Sequence, residues 1–364
     1  MEDFFNFSLP ELEALFKERF SIAPFHARQV FQWVYRKKVR DFELMTDLPS
    51  KLRPLLKENF FFSTAEQKAR QISSDGTRKY LFGLGENSVE SVMIKQPTRM
   101  TLCVSSQVGC GMACAFCRTG TMGFIKNLTT SQILQQVEGV INDAVNFGDM
   151  FQNIVFMGMG EPLHNFDNVS RAIRILTHQL GFEIGPRRIT VSTVGLVPAI
   201  KRFGEEKVPA NLAVSLNATT DEVRSQIMPI NKKYPLSTLI GALKDFPTTK
   251  HKKITIEYVM LSGLNDTEAD LRRLPKLLHG VAAKINLIPY NDNAGLGFKT
   301  PDRDWVHNWQ QTLAGRGLEA TIRWSKGQDI KAACGQLVTD DKKLSKKSLG
   351  YIAPENSVEG SLVV

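Results

Sequence analysis

The chain has 364 residues, enough to bury one large core, or one large and one small. No apolar run approaches the ~20 residues of a membrane span, and Met1-Glu2-Asp3-Phe4-Phe5 lacks the basic start and cleavage site of a secretory leader. The expectation is a cytoplasmic protein with no membrane partner, by default a monomer. The formal net charge is +9, and basic residues gather in Arg36-Lys37-Lys38-Val39-Arg40, Arg187-Arg188, Lys250-His251-Lys252-Lys253 and the tail around Lys342, Lys343, Lys346 and Lys347. Such an excess favours polyanions, RNA or DNA first. Five cysteines, three of them bunched, exclude a disulfide framework.

Residues 1–75 read as a helical domain. Leu9-Pro10-Glu11-Leu12 starts one helix, with Leu15 and Phe16 on its apolar face. Val30, Phe31 and Val34 give Phe25–Tyr35 a second amphipathic helix, and Leu48-Pro49-Ser50-Lys51-Leu52-Arg53 opens a third. The aromatic side chains are expected in the core, and the basic run after the second helix is expected to face phosphate.

Between residues 66 and 100 the period changes. Arg78–Phe82 and Ser88–Ile94 read as strands, with turns at Asp75-Gly76 and Gly85-Glu86-Asn87. This short β-extension is placed at 76–99. In its second strand Glu90 shares a face with Val92 and Ile94. A carboxylate on an otherwise apolar face is costly unless it is paired or used.

From residue 100 strands and helices alternate. Met100–Val104, Asn153–Met157, Arg188–Thr193, Leu212–Leu216, Lys253–Met260, Ile285–Ile288 and Leu318–Trp324 are predicted strands. Helices are expected from Thr129/Thr130 to about Asn146 and near 168–179. This predicts an α/β fold with a parallel sheet and right-handed crossovers. About six units are too few for eight-fold closure, so a partial (β/α)6 TIM-like barrel is expected over 100–340, with its site at the C-terminal strand ends. Residues 341–364 read as a basic tail.

The loop after the first barrel strand carries Gly109-Cys110-Gly111-Met112-Ala113-Cys114-Ala115-Phe116-Cys117. Three thiolates at this spacing surround one metal centre and leave one position without a protein ligand. A structural zinc site wants a fourth Cys or His nearby, but the next histidine is His164. A four-iron cluster normally takes four thiolates; with three, one iron stays open to an outside ligand. A zinc-holding, non-catalytic RNA-binding protein is the alternative from another class.

Small polar groups recur at later strand ends. Gly158-Met159-Gly160-Glu161-Pro162 offers two glycines for close approach and a carboxylate that accepts from an ammonium. Ser192, Ser215-Leu216-Asn217 and Asn291 follow in step, which points to a polar ligand at the mouth of the sheet. Cys103 ends the first barrel strand, and Cys334 follows the last one among small residues. From the residues alone these two are either inert core thiols or working ones.

Cys-xxx-Cys-xx-Cys with an aromatic residue before the third Cys resembles the signature of the radical S-adenosylmethionine (SAM) enzymes. The stretches Thr101–Cys110, Gly158–Pro162, Leu212–Asn217 and Ala332–Leu337 together resemble the radical SAM RNA adenine methyltransferases. The likeness spans about residues 20–340 and is nearer to the RlmN type, which methylates C2 of an adenine in 23S rRNA and in some members of tRNA. The sister Cfr type methylates C8 of the same rRNA adenine and confers antibiotic resistance. Nothing in the residues separates C2 from C8.

The resemblance implies a [4Fe-4S] cluster on Cys110, Cys114 and Cys117. It implies SAM binding by Gly160, Glu161, Ser192, Ser215, Leu216, Asn217 and Asn291. It makes Cys334 the carrier of the methyl group, Cys103 the thiol that resolves the intermediate through a transient disulfide, and Glu90 the proton acceptor. Two SAM are used per turnover, one as methyl donor and one as source of a 5′-deoxyadenosyl radical, with an external electron donor. The extra thiols have a chemical reason: C2 of adenine is electron-poor and cannot displace the methyl of SAM, whereas a thiolate can. The base must leave its stack to be reached. One departure is Arg118, where the family has a small or neutral residue.

Overall fold

The computed structural model describes residues 1–248, 253–293 and 295–339. The basic tail at 341–364 and Lys250-His251-Lys252 lie outside the described residues. No described helix is long and apolar enough to cross a membrane.

A short strand β1 (Glu2–Asp3) leads into α1 (Leu9–Phe20), α2 (Pro24–Tyr35) and α3 (Leu52–Asn59), and β2 (Phe60–Phe61) returns to pair in parallel with β1. The N-terminus of α1 is closed by the Ser8 amide donating to Glu11 Oε2 at 2.7 Å. Phe4, Phe5, Phe16, Phe31 and Phe60 form an aromatic core, each at most 2% exposed. In the basic run after α2, Arg36 pairs with Glu183 and Arg40 with Glu138. With Glu11 and Arg171 at 2.8 Å, these pairs dock the helical segment onto the barrel's helices.

β3 (Glu66–Ile72), β4 (Arg78–Leu84), β5 (Asn87–Gln96) and β6 (Arg99–Cys103) then run antiparallel in chain order. β3 begins inside the stretch expected to be helical. It is an edge strand with every residue exposed, so Glu-Gln-Lys-Ala-Arg-Gln-Ile carries no alternating apolar face to announce it.

Beyond β6 a small antiparallel hairpin, β7 (Gln107–Cys110) and β8 (Gly123–Asn127), flanks the one-turn helix α4 (Arg118–Thr121). The alternating region follows: α5 (Thr130–Val145), β9 (Asn153–Phe156), α6 (Phe166–Thr177), β10 (Ile189–Thr193), α7 (Val197–Glu205), β11 (Asn211–Ser215), α8 (Asp221–Ile227), α9 (Leu236–Lys244), β12 (Ile254–Met260), α10 (Glu268–Leu277), β13 (Ala283–Pro289), α11 (Arg303–Gly315) and β14 (Ala320–Ile322).

One ten-stranded sheet contains them in the order β14-β13-β12-β11-β10-β9-β6-β5-β4-β3. From β6 to β14 the pairing is parallel, which is the expected partial barrel. β3 and β14 are its two edges, so the sheet stays open. The β-extension is continuous with the barrel through β5 and β6. Strands such as Leu212-Ala213-Val214, buried on both faces, read as unbroken apolar runs because helices cover one side and the barrel lumen the other.

Candidate active site

A cavity opens at the C-terminal ends of the parallel strands. Cys110, Cys114, Cys117 and Cys334 line it, together with Gly160, Glu161, Ser192, Ser215, Asn217 and Asn291. Glu90, Cys103 and Leu216 do not line it.

The hairpin of β7 and β8 presents the cluster cysteines. Gly109 has φ +70°, and a Cβ there would collide with the Gly123 carbonyl oxygen on the facing strand. Gly109→Ala is therefore expected to open this hairpin and cut the iron content of the purified protein several-fold, read by colorimetric iron assay. An unchanged iron content would show that the close approach is not required. Within the loop, Cys117 N–H donates to Cys114 O at 3.1 Å, and Ala115 N–H ties the loop to the end of α8 through Ile227 O at 2.9 Å. Burial pushes all three thiols up, and Cys114 also feels the charges of Cys110 and Cys117. Three thiols gathered on one loop favour a cationic centre that takes them as thiolates. Among the described residues no group of three or more His, Cys, Asp or Glu is drawn together closely enough for a single metal ion.

Gly160 has φ +98°, and a Cβ there would strike Gln107. Gln107 Oε1 accepts from Glu161 N–H at 2.8 Å. Glu161 is 2% exposed; Oε1 accepts from Leu163 N–H at 3.0 Å and Oε2 from Val194 N–H at 2.9 Å. Burial pushes its carboxyl up to about 7 despite these bonds, so a cationic guest would find a group ready to ionise against it. Gln107 was not among the residues expected at the site, and nothing local in the sequence marks it.

The next strand ends are clamped by a second residue the sequence did not reveal. Arg224 on α8 is fully buried. It donates to Leu216 O at 3.0 Å, Val194 O at 2.7 Å, Ser215 O at 3.1 Å and Asn231 Oδ1 at 3.0 Å. Leu216 N–H meets Glu257 O at 3.0 Å, so Leu216 shapes the turn through its backbone. Asn217, at φ +56°, accepts from Val259 N–H at 2.8 Å.

Cys334 sits on a strap after β14 that is anchored from several sides. Arg118 N–H donates to Gly335 O at 2.8 Å and Thr119 Oγ1 to Leu337 O at 2.7 Å. Asn291 Nδ2 donates to Cys334 O at 3.2 Å. From the β-extension, Asp75 accepts from Gly327 N–H at 2.9 Å, and Ser73 Oγ donates to Asp329 at 2.6 Å. Glu90 is paired, as its position demanded: Lys79 Nζ lies 2.9 Å away, and Val338 N–H donates to its Oε2 at 2.9 Å. The contact at Arg118 is made by the backbone, which any residue supplies.

Cys103 is 6% exposed. Burial pushes its thiol up to about 12, the nearby Cys334 adds to that, and Arg323 and the Met157 amide oppose it. Cys334 is exposed where it faces the cavity, yet the surrounding walls also push its thiol up, with Arg323 opposing. All five cysteines are free thiols. The disulfide between Cys103 and Cys334 implied by the resemblance is thus absent from this state of the protein.

Residues 2–62 match the family described as ribosomal RNA large subunit methyltransferase N-terminal domain, and residues 104–274 the radical SAM superfamily. The chain is 50% identical over 342 residues to the dual-specificity RNA methyltransferase RlmN of Geobacter sulfurreducens, covering 93% of this chain and 92% of that one. It is 48% identical over 340 residues to the protein of the same name from Pelobacter propionicus, covering 92% and 95%. The crystal structure of a radical SAM methyltransferase from Sphaerobacter thermophilus superposes with a TM-score of 0.84 at 39% identity, over 93% of this chain and 99% of that one. With half of its residues shared along nearly the whole length, and the barrel and thiol arrangement described above, the chain belongs to the RlmN family of dual-specificity RNA methyltransferases in the radical SAM superfamily.

Proposed function

We propose that this chain methylates C2 of an adenine in 23S rRNA and in tRNA, with the methyl group passing through Cys334. The observation that carries this reading is that Cys334 lines the same cavity as Cys110, Cys114 and Cys117. Those three thiols would hold a [4Fe-4S] cluster. Glu161, Gly160, Ser192, Ser215, Asn217 and Asn291 would bind SAM, with Leu216 setting the turn between them. When bound, the cluster supplies the electron that splits the sulfonium of SAM.

The chain's own groups do the rest. The Cys334 thiolate takes a methyl group from a first SAM: a sulfur–carbon bond forms as the donor's breaks, and S-adenosylhomocysteine leaves. The methyl carbon bonds to C2 of the adenine after losing a hydrogen atom, which would end up in 5′-deoxyadenosine, and the odd electron of the adduct would return to the cluster. Glu90 takes the C2 proton, exchanging its Lys79 or Val338 partner for the substrate. The Cys103 thiolate attacks the Cys334 sulfur, so the sulfur–sulfur bond forms as the sulfur–carbon bond breaks; the released carbon takes up a proton to become the methyl group, and an external dithiol reduces the disulfide. The basic N-terminal helices hold the surrounding RNA.

Mass spectrometry of digested rRNA and tRNA, from a strain lacking the gene and from the same strain complemented with it, tests the reading. The expected result is 2-methyladenosine that returns with the gene. Only 8-methyladenosine, or no change, would overturn it.

A further inference from the structure

The cavity wall carries a carboxylate that the reading above leaves unused. Glu257 on β12 lines the cavity and is 4% exposed. Its Oε1 accepts from Asn286 Nδ2 at 3.0 Å, while Oε2 is buried with no hydrogen-bond partner. Among the described residues it is the one carboxylate oxygen in that condition. Proteins rarely leave such an oxygen unmatched, because its water is lost without replacement.

The neighbours narrow down what it meets. Glu257 stands in register with Ser215 on β11, and its carbonyl takes the Leu216 amide at 3.0 Å, so it is one strand from the turn assigned to SAM. Arg323 lowers its carboxyl toward ionisation, as do Asn286 and Lys284, against the dominant effect of burial. Arg323 Nη1 lies against Met157 Sδ at 3.2 Å and makes no hydrogen bond to Oε2.

We propose that Glu257 Oε2 is a binding group of this cavity that accepts a hydrogen bond from the nucleoside of SAM, whose donors are two ribose hydroxyls and the 6-amino group. The proposal rests on the reading of this cavity as the SAM site. The target adenosine of RNA offers the same donors, so the test must separate the two.

The test is isothermal titration of the anaerobically purified, iron-loaded full chain with SAM, and separately with a substrate tRNA, for the natural protein and Glu257→Gln. Gln keeps the volume and removes the anionic acceptor. The expected result is SAM binding roughly 10–100-fold weaker, with iron content and tRNA affinity unchanged. Should Glu257→Gln fail to fold or to hold iron, Glu257→Asp, which retains the charge and retracts the oxygen, is expected to shift SAM affinity in the same direction. Unchanged SAM affinity overturns the proposal and assigns Oε2 to water. A loss confined to tRNA also overturns it and assigns Oε2 to the RNA base. A natural protein that binds no SAM overturns the reading of the cavity itself.

Discussion

Cys334→Ala is expected to lose turnover by about 10⁴-fold or more, as for other nucleophiles whose removal deletes the covalent step, while its iron content stays that of the natural chain. Cys103→Ala is expected to fail differently: it transfers the carbon to RNA and then cannot release it, leaving RNA covalently bound to Cys334. A labelled RNA that comigrates with the protein on a denaturing gel reads this out. The asymmetry follows from exposure. Cys334 opens into the cavity, where a methyl donor can reach it. Cys103 is buried, and its thiol is held near 12, so it stays protonated and unreactive toward the donor. Normal turnover by Cys103→Ala would remove it from the reaction.

The second large effect concerns stability. Arg224→Leu is expected to cost about 3–5 kcal/mol, because it strands several buried acceptors at once. Val194 O, Ser215 O and Leu216 O all lie at ends of strands that form the cavity, and each loses its partner. Burial lowers the guanidinium only to about 10, so it is charged at neutral pH and its bonds are charge-assisted. Arg224→Lys should recover little, since one ammonium cannot reach acceptors spread over two strand ends and a loop. Urea unfolding midpoints of the metal-free chain decide the matter, and an unchanged midpoint for Arg224→Leu would sink the argument.

Much of this architecture was legible in the sequence because its signals are local. The cluster thiols lie within one loop, and the Thr129 cap with Gln132 marks the start of α5. The parallel strands announce themselves by apolar runs at regular intervals. β3 was hidden because an exposed edge has no buried face to pattern. Arg224 looked like an ordinary helix cation, since nothing local tells a buried arginine from a solvated one. Glu257 was within reach: Thr255, Glu257 and Val259 share one face of β12, so it is a lone carboxylate of the kind that drew attention to Glu90. The strap's anchors left no trace, because Asp75 and Gly327 are 252 positions apart, and a bond over that span imposes no period. A link between Cys103 and Cys334 was suggested only by family resemblance.

The framing of the Cys334 strap by Ser73, Asp75 and Glu90 bears on how the enzyme is made. Translation delivers the loop of Cys110, Cys114 and Cys117 and all three of these anchors well before it delivers the sulfur they frame. A nascent or truncated chain ending short of Gly327 would keep every ligand for the cluster but have nowhere to park a methyl group. Such a product would consume SAM without marking any RNA, so on this reading the final stretch of synthesis separates a wasteful radical generator from a useful catalyst.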